Sequence, residues 1–220
     1  MNKSPLEQAI SLHQEGNLEE AEQAYLNVIV DEPENAEAFK LLGVMACQKG
    51  DLEEGLTYLE AAIQASPEES EYHLALGRAK FDSGDHEGGI NSVLQAGEKD
   101  PGRSDVFATL GYFFQRVQDF PQSQSAYERA VVIEPENIGF RVGAGLSAFF
   151  AGEADTAQQY LSKAYESDNS IHQACYGLAL LNADAGDKVS ALSFVAKALL
   201  ADPGNDEYQR LQKQLEGETA

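Results

Sequence analysis

The sequence has no tryptophan, two cysteines, two methionines, and only 15 lysines and arginines against 37 aspartates and glutamates in 220 residues. The shortage of positive charge leaves a formal net charge of −22. A field of that sign repels phosphate backbones, so nucleic acid and anionic membranes are not expected as partners, whereas basic or neutral proteins are. The same charge also keeps a solvated surface soluble. Cys47 and Cys175 lie far apart and match no metal or redox spacing. Free thiols in a chain of this length point to a reducing compartment. No apolar run resembles a signal peptide or a membrane span, so no membrane insertion is expected and the cytoplasm is the expected location. A mature chain that had already lost a leader would read the same way.

Chemical motifs are also scarce. The four histidines, His13, His73, His86 and His172, are dispersed. His172 and Cys175 are one helical turn apart, but two ligands without further cysteine or carboxylate make a poor metal site. Asp82, Asp85, His86 and Glu87 gather at one turn, where a solvated connection explains them. There is no glycine-rich phosphate loop, nucleophile elbow or paired His–Glu helix motif. No catalytic residue, metal or cofactor is expected.

What the sequence does have is a period. Hydrophobic residues make up 43% of it, mostly alanine and leucine, which favour helix. Pro33, Pro67, Pro101, Pro135 and Pro203 share one 34-residue step, with Asn169 at the position a proline would take. The same step links Gly43, Gly77, Gly111, Gly145 and Ala179, and likewise Val28, Ala62, Ala96, Ala130, Ala164 and Ala198. Large residues recur at Tyr25, Leu59, Val93, Tyr127, Leu161 and Val195, and small ones at Ala21, Gly55, Gly89, Ser123, Ala157 and Ala191. The small ladders let two helices approach closely, and the large ladder fills the space beside that contact. Midway between prolines comes a turn signal: Gly16-Asn17, Gly50-Asp51, Gly84-Asp85, Gln118-Asp119, Gly152-Glu153 and Gly186-Asp187. Each unit therefore reads helix, tight turn, helix, proline-marked turn.

The pattern Phe39, Leu42-Gly43, Gly55, Leu59, Ala62, Pro67, and again Phe107, Leu110-Gly111, Phe114, Ser123, Tyr127, Ala130, Pro135, resembles the tetratricopeptide repeat family. The resemblance implies an all-α, right-handed superhelical solenoid of six antiparallel helix-turn-helix repeats. Their bounds are about 2–35, 36–69, 70–103, 104–137, 138–171 and 172–205, in one domain over 1–220. A tail over about 206–216, with Tyr208, Leu211 and Leu215 on one face, suits a capping helix. Glu-Pro-Glu-Asn at 32–35 and 134–137, and Asp-Pro-Gly at 100–102 and 202–204, read either as a duplicated three-repeat unit or as common turn choices.

In this family the first helix of each hairpin lines a concave groove. By position, that resemblance places Lys40, Arg78, Phe81, Tyr112, Arg116, Gly139, Gly143, Leu146, Phe149, Phe150, Tyr176, Gly177 and Leu180 on the groove. The sixth position shrinks along the chain, Leu41, Ala75, Thr109, Gly143, Gly177, while its surroundings turn aromatic. The expectation is a groove that deepens toward repeats four to six. Glycine within a helix costs about 0.8–1.0 kcal/mol against alanine, so Gly139 and Gly143 need a local reason: close approach of a partner, or packing and bending of the repeats. Phe107 and Phe114 belong in the core, whereas the adjacent Phe149 and Phe150 cannot both turn inward. Arg141 stands where a large apolar residue is usual and is expected either to reach toward the groove or to loosen its hairpin. The fixed lysine, arginine and asparagine set with which one subclass grips a C-terminal carboxylate is missing: Val44, Ala75, Asp105 and Thr109 stand in its place.

The expected function is a non-enzymatic scaffold or adaptor whose groove takes a partner peptide or amphipathic helix. The alternatives are a chaperone-like holder of an apolar segment, and a recruiting module acting with a separate enzyme. Self-association as a homo-oligomer is a competing use of the same face.

Overall fold

The computed structural model describes residues 3–217. The described residues form thirteen helices and no strand. They divide into two compact units, Met1–Gly102 and Arg103–Ala220. The first holds three hairpins: α1 (Pro5–Gln14) with α2 (Leu18–Asp31), α3 (Ala36–Lys49) with α4 (Leu52–Ala65), and α5 (Ser70–Asp82) with α6 (His86–Lys99). The second holds α7 (Ser104–Arg116) with α8 (Phe120–Ile133), α9 (Ile138–Phe150) with α10 (Ala154–Ser167), α11 (His172–Asp184) with α12 (Lys188–Ala201), and a final helix α13 (Asp206–Glu216). The division falls at the boundary between the third and fourth repeats, where the doubled turn motifs also divide the sequence.

Local chemistry sets the helix ends. Ser4 and Glu7 form a reciprocal capping box around the start of α1, with Pro5 in its first turn. Side chains of Asn35, Asp85, Asp119, Asn137, Asp187 and Asn205 accept hydrogen bonds from backbone N–H groups at the starts of their helices. Gly16, Gly50, Gly84, Gly152 and Gly186 take the left-handed conformation that closes the first helix of each hairpin. In the fourth repeat Gln118 takes it, at φ 62°. At the end of each second helix, the N–H of the next residue bonds to the carbonyl of the third ladder, as Glu32 does to Val28 and Ser66 to Ala62.

The ladders also make the core. Tyr25, Leu59, Val93, Leu161 and Val195 are fully buried, as are Ala21, Ser123, Ala157 and Ala191. The glycine ladder is needed because the two helices of a hairpin nearly touch. A Cβ on Gly43 would stand 2.8 Å from the Gly55 carbonyl oxygen and 2.9 Å from Leu59 Cγ. Helix α13 buries Tyr208 and Leu211 against Cys175, Ala179, Val195 and Ala198, leaving Glu207, Arg210 and Lys213 exposed. That is the expected division of its faces. The core is turned slightly on α7: Phe107 and Phe113 are buried, while Phe114 is half-exposed.

Candidate functional site

Within the first unit, α3 and α5 lie beside one another and leave a cleft of ≈ 480 Å³. Leu41, Val44 and Cys47 line it from α3, and Ala75, Arg78 and Ala79 from α5. Leu52, at the start of α4, stands at one end with Gln48 and Asp82, and Lys40 and Glu71 stand at the other. Successive turns of each first helix present small or aliphatic residues to the cleft, and charges of both signs stand among them: Lys40 and Arg78, Glu71 and Asp82. The Lys40 ammonium lies 2.9 Å from Glu37 and its side chain is only 14% exposed, so Lys40 acts less as a free cation than its position implied. Burial pushes the Cys47 thiol pKa up, and the nearby Asp82 carboxylate adds to that rise.

Within the second unit the exposed features are aromatic. Tyr112 is 44% exposed, and its hydroxyl accepts a 2.7 Å hydrogen bond from Arg116 Nη1, with that guanidinium 5.7 Å from the ring centre. Phe150 is 49% exposed and stacks on Phe120 at 5.0 Å, with Phe149 edge-on at 5.3 Å. Phe149 is half-buried against the Ala148, Leu161 and Leu178 cluster, so the adjacent pair divides its duties as expected. Phe120 was not among the residues expected on the groove. Its signal was its register: it occupies the position of Leu18, Leu52 and His86, directly after the tight turn, and His86 likewise lies against Phe81 with ring centres 4.5 Å apart.

Other expected groove residues are committed to packing. Phe81 is buried at 3% exposure, so it is wall rather than surface. Gly143 and Gly177 are also buried. A Cβ on Gly143 would lie 2.6 Å from the Tyr127 ring, and one on Gly177 would lie 2.7 Å from Leu161. The space these glycines open is thus filled by the chain's own ladder residues, and the groove does not deepen there. Gly139 is exposed, with only the Asn137 side chain near its Cβ position. Leu146 lies half-buried beside Gly177, and Tyr176 and Leu180 are partly covered in the cluster that α13 completes. Arg141 reaches neither cleft nor groove: it donates to Ser167 Oγ at 3.2 Å and lies 3.7 Å from Glu136.

Helices α7, α8 and α9 also share a polar cluster that the sequence did not announce. Gln115 donates to Ser147 Oγ at 2.9 Å, Ser147 donates to the Gly143 carbonyl at 2.7 Å, and Ser123 donates to the Gly111 carbonyl at 2.7 Å. The two serine hydroxyls are 2.8 Å apart. Every group in this cluster has a partner, so it holds the helices in register at little desolvation cost. Among the described residues no three His, Cys, Asp or Glu side chains are grouped so as to hold a metal. Nor is any described helix long and apolar enough to cross a membrane.

Solved structures share this fold at low sequence identity. The structure of YrrB, described as a tetratricopeptide repeat protein with an unusual peptide-binding site, is 17% identical. It covers 86% of this chain and 98% of its own, with a TM-score of 0.72. PilF of Pseudomonas aeruginosa is 18% identical over 96% of both chains, with a TM-score of 0.78. MamA is 22% identical over 77% of this chain and 97% of its own, at 0.67. No curated protein sequence matches the chain. Family models described as tetratricopeptide repeat match residues 6–70, 48–104 and 148–215. With the hairpin period and the ladders, these matches show that the chain belongs to the tetratricopeptide repeat family, an all-α repeat-solenoid fold that serves in general as a scaffold for protein–protein interaction.

Proposed function

We propose that the chain is a non-catalytic adaptor that holds a segment of a partner protein along the cleft between α3 and α5. One observation carries this reading. The α3–α5 cleft stays open, lined by Leu41, Val44, Ala75 and Ala79, whereas the space beside Gly143 and Gly177 is filled by the chain's own side chains. An open cleft that combines apolar residues with charges of both signs offers a peptide segment burial of anchors for affinity and polar contacts for register. The exposed aromatic surface around Phe150 and Tyr112 offers a second, separate contact. The peptide-binding site named for YrrB is a property of that protein, and it makes the same use of this fold a reasonable one here. Free thiols at Cys47 and Cys175 suit a reducing compartment.

Site-specific photo-crosslinking from position 75, in extract of the native host, tests this reading. The expected result is a crosslink to one segment of one other protein, mapped by mass spectrometry and lost when Val44 is replaced by Asp. Crosslinks that Val44→Asp leaves unchanged would overturn it.

A further inference from the structure

Beside its aromatic surface, the second unit exposes an aliphatic one along α12. Val189 and Leu200 are 80% and 84% exposed, more than any other large hydrophobic side chain among the described residues. Eleven positions separate them in the sequence, which on a helix is about 20° of rotation and about 16 Å of length. Ser193 and Ala196 lie between them on the same line and are exposed as well. Leu192 and Leu199, half-buried against the cluster that contains Val195 and Leu211, widen the strip. Aliphatic side chains held this far into water along one helix face mark a contact surface.

Charge narrows the occupant. Helices α2, α4, α6, α8 and α10 each carry at least one aspartate or glutamate, whereas α12 carries none and has Lys188 and Lys197. Two chains of net charge −22 repel one another. Alone among these second helices, α12 lets a second copy lie alongside without setting carboxylate against carboxylate within the helix pair. Lys197 is engaged in its own chain, where it donates to the Tyr165 hydroxyl at 2.6 Å. Lys188 is exposed in the first turn of α12, where the helix dipole disfavours a cation. At the other end of the helix the last turn holds no basic residue, and Asp202 follows it. The end that favours a cation therefore lacks one, and the end that disfavours it has one.

We infer that two copies of this chain pair along α12, antiparallel, about a two-fold axis that passes between Phe194 and Val195. Val189 of each copy then covers Leu200 of the other, and Ser193 and Ala196 meet at the centre. A two-fold interface must be its own complement, and this strip is: from either end it runs aliphatic, small, small, aliphatic. The small centre lets the helix axes approach to about 8 Å. Each Lys188 comes to the carboxyl end of the other helix, beside its Asp202, which corrects the misplaced charge in both copies at once. Asp187 stays with its own helix, accepting from the Ser190 backbone N–H at 3.1 Å and from its hydroxyl at 2.6 Å. One helix pair is smaller than the interfaces of about 1,200 Å² and more that hold stable complexes, so association belongs in the micromolar range. The pairing is independent of the α3–α5 cleft, which each copy brings to the pair.

Sedimentation equilibrium of the full chain between about 5 and 500 µM, in about 0.3 M salt to screen the mutual repulsion, tests the pairing. The average mass is expected to rise from that of one chain toward that of two. Ala196 faces water in the single chain, so Ala196→Glu should leave the circular dichroism spectrum unchanged while weakening association at least about tenfold. Lys188→Glu should weaken it about threefold or more. Register is read separately, in a Cys47→Ser background. An oxidised mixture of Val189→Cys and Leu200→Cys copies should form a disulfide-linked pair. Neither variant alone should do so, because like positions stand about 16 Å apart along the axis. The mass of one chain at every concentration would overturn the inference, as would association that Ala196→Glu leaves intact. Val189→Cys copies that link to one another as readily as to Leu200→Cys would overturn the antiparallel register.

Discussion

At the residue scale, Tyr127 of the second unit is packed between two glycines. Cβ atoms on Gly111 and on Gly143 would each stand 2.6 Å from the Tyr127 ring, so the ring is held between α7 and α9 with no room for a methyl on either side. The ring is rigid and the opposing atoms are its own carbons, so relief requires the helices to part. Gly143→Ala is expected to lower unfolding stability by about 1–3 kcal/mol despite alanine's better helix propensity. Tyr127→Leu in the same chain should restore part of it. Urea unfolding of the single and double variants checks this, and a stabilising Gly143→Ala would contradict it. The same burial pushes the Tyr127 pKa up to about 12, with Tyr112 adding to the rise. A phenol whose folded pKa lies above its ordinary value of 10 contributes stability that is complete below pH 10. That contribution is lost as pH climbs from 10 through about 12, because the unfolded chain releases its proton first. The urea midpoint should therefore fall across this window, and Tyr127→Phe should flatten part of the fall. Parallel curves for the two proteins would contradict it.

Helices and turns were the most legible level of the sequence. The period located both helices of every hairpin because each ladder answers a backbone requirement, such as the positive φ at Gly50 or the near contact of Gly43 with Gly55. Function was less legible, for a physical reason. Position within the repeat says which way a residue points, but not whether a neighbour already fills the space before it. Phe81, Gly143 and Gly177 carry groove positions and are nevertheless buried. Phe120, outside those positions, stacks on Phe150 through its register after the turn. Gln118 is the exception among the turns. It is the single described non-glycine residue at positive φ, where a Cβ costs about 1–2 kcal/mol relative to the right-handed region. Gln118→Gly is expected to raise stability by about 0.5–1 kcal/mol after glycine's larger unfolded-state entropy is subtracted. Chemical denaturation measures this directly, and a loss of stability would contradict it.

At the scale of the whole molecule, charge and open space coincide in one place. The first unit carries most of the excess negative charge and holds the open α3–α5 cleft. The second unit spends its small residues on internal packing and its exposed ones on aromatic rings. The sequence had pointed to repeats four to six, because glycines were read as open space. Side chains from neighbouring helices closed that space, and the aliphatic and alanine positions of repeats two and three were left open instead. The central claim is that a partner segment lies in the α3–α5 cleft. The most direct test is calorimetric titration of the segment identified by crosslinking into wild-type protein and into Ala75→Phe, which fills the cleft floor, with equal circular dichroism as the control for folding. A loss of affinity of at least about tenfold, or about 1.4 kcal/mol, is predicted for Ala75→Phe. Equal affinity for the two proteins would contradict it.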